Sequence, residues 1–238
     1  MDYLLLLSSI VLGALSFFSL RLHEASHVKL LNAFTGAFLL SLTLLHLLPE
    51  LYHSIPDSTE RNLKLGAFIL AGFFAQIALD VVSMGVEHGH THHLHGRMPV
   101  GVVGGLCLHA FVEAMALGEP HTYYDPASRK LLLWSIVVHN YPVSIALLGM
   151  LVQTGMKRSR ALSWLGLFAL MAPLGMFISA HSPLAGYSRE LMAFVIGIFM
   201  HISTTILFES SDTHRFHFAK LGAIVLGTGM GIVSVLIH

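Results

Sequence analysis

The chain has little charge and almost no cysteine. Only 11% of its 238 residues are Asp, Glu, Lys or Arg, and thirteen basic residues offset thirteen acidic ones. No net field draws it to nucleic acid or to an acidic partner, and the expectation is that it binds no nucleic acid. A single cysteine, Cys107, can close no internal disulfide and build no thiolate zinc cluster. Any metal site must therefore use nitrogen and oxygen ligands. What the chain has in abundance is apolar surface, with 55% hydrophobic residues and a mean hydropathy of +0.73, well beyond an average soluble domain. It also has seventeen histidines. Imidazole is both a metal ligand and a group that titrates near neutral pH.

A helix needs about 20 mainly apolar residues to cross the hydrocarbon, where every backbone N–H and C=O must be paired within the segment. Eight stretches qualify: Tyr3 to Leu20, Leu30 to Leu51, Leu63 to Gly85, Pro99 to Gly118, Leu131 to Gln153, Leu162 to His181, Leu191 to Phe208 and Phe218 to His238. The first lacks the basic start and small-residue cleavage site of a signal peptide and reads as a retained helix. The prediction is an all-α polytopic membrane protein of eight transmembrane helices, with residues 1–238 as one transmembrane domain. On alternate sides of such a chain stand Arg21, Lys29, Arg97, Lys157, Arg158, Arg160, Arg215 and Lys220 against Arg61, Lys64, Arg129, Lys130 and Arg189. The richer side is expected to be cytoplasmic. Both termini then face outward, in a plasma (inner) membrane, and the loop 86–98, with its histidines, faces the cytosol.

Leu31-Asn-Ala-Phe34, then Phe38 and a helix-end Pro49-Glu50, echoes Leu191-Met-Ala-Phe194, then Phe199 and a helix-end Phe208-Glu209. These lie in the second and seventh spans, which run in opposite directions. That is the pattern of an inverted repeat, which in transporters frames a site near the midplane.

An ionisable group in hydrocarbon costs roughly 2.5–3.5 kcal/mol on insertion scales, so it normally faces a bundle interior or a watery cavity. His109 and Glu113 of the fourth span lie four residues apart, on one helical face. Gly101, Gly104, Gly105, Ala110 and Ala114 around them let a neighbouring helix approach. The fifth span carries His139-Asn140-Tyr141-Pro142, in which proline frees the carbonyl of Val138 and kinks the helix beside His139. His109, Glu113 and His139 together make a set of two nitrogens and an oxygen suited to Zn²⁺ and acceptable to Fe²⁺ or Mn²⁺. The competing reading is that His109 and Glu113 only pair with each other.

His46-Leu-Leu-Pro-Glu50 closes the second span with the same four-residue spacing, and reads equally as a gate or as a hydrated helix end. His201 and Glu209 are similar cases, each alone read as a solvated or locally bonded helix end sooner than as a ligand. His88, His90, His92, His93 and His95 in the loop 86–98 read as an ion-collecting or sensing element, or as a solvated linker. His23-Glu24-Ala-Ser-His27 matches the H-E-x-x-H zinc-hydrolase pattern. Asp80 in the third span is a candidate third ligand for such an intramembrane metalloprotease. The motif, however, sits between Arg21 and Lys29 at a helix junction and not in an apolar span.

Taken together, His46-Leu-Leu-Pro-Glu50, His109-Ala-Phe-Val-Glu113-Ala-Met-Ala-Leu-Gly118, His139-Asn-Tyr-Pro142 and Ala172-Pro-Leu-Gly175 resemble the ZIP family of divalent-metal transporters. The resemblance implies an inverted repeat of helices 1–3 and 6–8 around helices 4 and 5, with metal passing between those two. It implies Zn²⁺ as the transported substrate, with Fe²⁺, Mn²⁺ or Cd²⁺ as alternatives, and a homodimer as an oligomeric option. The departures are specific. The family pattern has Asn and Gly where Ala110 and Ala114 stand, an acid where Asn140 stands, and Glu or His where Val143 stands. These imply a degenerate second site and one ion held by His109, Glu113 and His139, with Asn140 or water completing it. The missing acid also leaves open a non-transporting, metal-sensing member.

Overall fold

A computed structural model of the protein describes residues 1–19, 25–53, 58–83, 100–118, 126–208 and 214–237. Among them there is no strand. The elements are α1 (Asp2–Ser19), α2 (Ala25–Leu42, continued through a π turn Thr43–Leu47 into Leu48–His53), α3 (Thr59–Ser83), α4 (Val100–Met115), α5 (Pro126–Gln153), α6 (Arg158–Ala180), a 3₁₀ turn (Pro183–Tyr187), α7 (Ser188–Phe208) and α8 (His214–Ile237). Seven of the helices are long and apolar enough to cross a membrane, and α4 is a shorter apolar helix. The protein is an all-α polytopic membrane protein. Most helices begin a turn or more before the apolar stretch that marks them in the sequence, because their first turns are polar. Thus α5 starts at Pro126 and not at Leu131.

Two local features follow directly from sequence. Pro49 has no N–H to return to the carbonyl four residues earlier, and the chain ahead of it widens so that Leu48 N–H bonds Thr43 O, five residues back. After α5 the chain reverses through Gly155 at φ 80°, in the left-handed region that glycine enters without cost, and α6 runs back alongside.

Lipid tails are as apolar as leucine, so helices in a bilayer associate through close packing and interhelical hydrogen bonds. Here α2 packs on α8, α3 on α7, α1 on α5 and α4 on α6. A Cβ on Gly227 of α8 would collide with the carbonyl of Phe34 in α2, and one on Gly72 of α3 with the carbonyl of Phe194 in α7. Phe34 and Phe194 are the residues aligned by the Leu-x-Ala-Phe echo. In the other two pairs, Gly13 of α1 faces the carbonyl of Tyr141, and Gly175 of α6 that of Phe111. Tyr141 and Phe111 each stand two residues after a histidine, His139 and His109. The contacts therefore repeat between helices 1–3 and 6–8 around α4 and α5, the inverted repeat expected from the sequence.

Burial follows the same plan. In the membrane-crossing window of α5, 83% of residues are buried, against 11% in α8 and 17% in α3. Helix α5 is the axis, and α8, α3 and α1 turn Leu226, Val233, Phe74, Leu70, Leu12 and Leu15 outward. One apolar cluster gathers Leu39, Leu47, Ala114, Leu117, Ile136 and Phe199; a second gathers Val102, Leu106, Ala110, Val143, Leu147 and Phe168. His109, Glu113 and His139 fall where α4 and α5 pass from one cluster to the other.

At one end of the bundle Arg129 Nη1 lies 2.6 Å from Asp2 Oδ2 while Nε and Nη2 donate to Leu117 O. Lys64 Nζ meets Glu190 Oε1 at 2.6 Å on the same end. The starts of α1, α3, α5 and α7 thus share one side of the bundle.

Candidate metal centre

His109 and Glu113 stand one turn apart on α4, and α5 brings His139 against them. One ligand atom from each lies within 4.8 Å of the other two. All three side chains are buried, at 0%, 0% and 1% exposure. His109 Nε2 is 3.1 Å from Glu113 Oε1, and the two imidazole rings stand edge to face with centroids 5.7 Å apart. Bonds of about 2.0–2.1 Å arranged tetrahedrally around Zn²⁺ separate ligand atoms by roughly 3.3 Å, so the His109–Glu113 spacing already fits one ion.

The electrostatics point the same way. Glu113 is sealed from water, yet among the described residues neither carboxylate oxygen accepts a hydrogen bond; the approach of His109 lacks the alignment of one. A buried carboxylate is costly unless it is paired or coordinates a metal. Asn140, next to His139, is also fully buried, with no hydrogen-bond partner for its amide nitrogen or oxygen among the described residues. Val143 is the apolar counterpart of Glu113 in the repeat: each lies four residues after its histidine. It is fully buried and packs in the second apolar cluster.

A family model described as ZIP zinc transporter matches residues 98–237, from the start of α4 to the end of α8. The chain belongs to the ZIP family. It is an integral membrane protein of a family that transports divalent metal ions, and the match spans every helix that carries His109, Glu113, His139 and Asn140.

The other sequence candidates are scattered. His46, in the π turn of α2, places Nε2 2.8 Å from Ser128 Oγ at the start of α5, and Glu50 is half-buried one turn on. His201 places Nε2 2.6 Å from Asp80 Oδ2, with its ring edge-on to Phe73. His27 is exposed near the start of α2. Glu209, His23, Glu24 and the loop histidines His88, His90, His92, His93 and His95 lie outside the described residues. Asp80, considered above as a protease ligand, is engaged by His201 and Gln76.

One residue that contacts the centre escaped the sequence reading. Gln76 of α3 is fully buried, and its Oε1 lies 3.0 Å from His109 Nδ1. The signal was available: an amide in the middle of an apolar span, four residues before an aspartate.

Proposed function

We propose that this ZIP protein carries Zn²⁺ toward the cytoplasm through a single intramembrane site formed by His109, Glu113 and His139, with Asn140 or water as a further ligand. The observation that carries the reading is the sealed carboxylate of Glu113 beside two imidazoles, accepting no hydrogen bond among the described residues. Two neutral nitrogens and one anionic oxygen leave a bound Zn²⁺ with one unit of positive charge, and a shell of that composition suits Zn²⁺ better than a harder ion. Val143 removes the carboxylate that a second ion would need, which favours one ion per cycle. The protein sits in the plasma (inner) membrane with both termini outside. Because the centre is closed to water, the ion is held occluded, and its passage requires α4 and α5 to shift against α2 and α7.

The test is metal-dye uptake into proteoliposomes, with Zn²⁺, Fe²⁺, Mn²⁺ and Cd²⁺ offered separately to wild type, His109→Ala and Glu113→Ala. Zinc uptake by the wild type that both substitutions abolish is the expected result. A folded wild type that takes up no ion overturns transport. Binding without uptake would favour the second reading, a metal sensor on this fold, for which the buried Val143 is the supporting observation.

A further inference from the structure

A chain of side chains leads away from the centre across three helices. His201 of α7 lies 2.6 Å from one oxygen of Asp80, and the other oxygen accepts from Gln76 Nε2 at 3.2 Å. Gln76 Oε1 in turn lies 3.0 Å from His109 Nδ1. Gln76 and His109 are both fully buried.

The donor inventory orders this chain in one direction. A carboxylate offers only acceptors, so the end of the Gln76 amide that faces Asp80 must be the NH₂ group. The end that faces His109 is then the carbonyl oxygen, also an acceptor, and Nδ1 must carry a proton to meet it. A neutral imidazole has one such proton. Nε2, the nitrogen 3.1 Å from Glu113, is left with its lone pair. Were the amide reversed, NH₂ would face Nδ1, the proton would move to Nε2, and that nitrogen could not ligate an ion.

We propose that Gln76 and Asp80 are positioning residues, which hold His109 as the Nδ1–H tautomer so that Nε2 points its lone pair into the centre, with His201 anchoring Asp80 from α7. The role rests on the metal-site reading above. It extends a general feature of metal sites, in which a ligating histidine donates its second ring N–H to a fixed acceptor and loss of that acceptor costs 10–100-fold in affinity. Here the acceptor is an amide, and its orientation is set one residue further out.

The experiment uses the full chain, stripped of metal, in lipid nanodiscs with ¹⁵N-labelled histidine, the His109 signals being identified by their loss in His109→Gln. Wild-type His109 is expected to be protonated at Nδ1 and not at Nε2. Asp80→Asn is nearly isosteric but can offer NH₂ to Gln76 and let the amide reverse. Gln76→Met keeps the volume and removes the acceptor. Both should raise the fraction protonated at Nε2 and weaken Zn²⁺ binding by about 10–100-fold. Loss of packing alone does not select a tautomer. Nε2–H in the wild type, or an unchanged tautomer in Gln76→Met, overturns the proposal even if zinc binds. Zinc binding that Glu113→Ala leaves intact overturns the site reading instead, and the positioning role falls with it.

Discussion

Glu113 has given up water for a place where, among the described residues, no donor is aligned with its carboxylate. Its charge is therefore available to a cation. Replacing it with Gln keeps the shape and removes the charge, so zinc affinity should fall on the order of 100-fold or more, the scale set by the ~3–5 kcal/mol of an uncompensated buried charge. Competition against a zinc-sensing dye in detergent measures this, and an affinity within threefold of wild type would exclude Glu113 as a ligand. The two imidazoles add a pH dependence. Each must be neutral to donate its lone pair, so protons compete with the ion. Uptake at fixed free Zn²⁺ should therefore fall as the pH is lowered; a rate that holds steady to mildly acidic pH would remove His109 and His139 from the ligand set. Much of this centre was legible in the sequence, because two ionisable residues four apart in an apolar helix share a face whatever surrounds them. Gln76 left a fainter signal, a buried-span amide four residues before Asp80, and its contact with His109 arises only where α3 meets α4. An uncharged amide also leaves no mark on a charge-based reading.

At the scale of the helix, hydropathy marks apolar stretches but not helix ends, which is why α3, α5 and α6 extend beyond the spans expected for them. The π turn before Pro49 was not foreseen either; the missing N–H was visible, but not how the chain would accommodate it. The glycines were read as permitting close approach, and the structure separates those that are required from those that are not. A methyl at Gly175 would strike the backbone of Phe111 on α4, whereas one at Gly104 meets nothing within 4 Å. Gly175→Ala should therefore destabilise the protein by about 1–3 kcal/mol, the usual cost of overpacking. Gly104→Ala should be neutral or stabilising by up to about 1 kcal/mol, because alanine is the better helix former. Thermal unfolding in one detergent compares them directly, and equal melting temperatures would mean that α4 and α6 are not packed as described.

For the whole molecule, the Leu-x-Ala-Phe echo was a faint trace of a repeat that the contacts make plain; four-residue matches between leucine-rich helices are common, and only the paired glycines give this one weight. Helix α8 runs beside α2 in the same direction, with Gly227 near Phe34 and Gly231 near Ser41, so Ile237 ends on the side where Asp2 begins. The excess of Lys and Arg on the opposite side predicts that both termini face out. With Cys107 replaced by Ser, single cysteines introduced at Tyr3 and at Ile237 should both react with an impermeant maleimide applied to intact cells, and labelling only after lysis would reverse the orientation. The pairing of distant helices also bears on synthesis. Asp80 leaves the ribosome about 120 residues before His201, an interval on the order of 6–24 s at 5–20 residues per second. During that time α3 must wait in or beside the insertion machinery with its acid lacking His201. Nascent chains halted before α7 should therefore be prime targets for membrane quality-control proteases, and the last two helices set the moment at which the protein becomes safe from them.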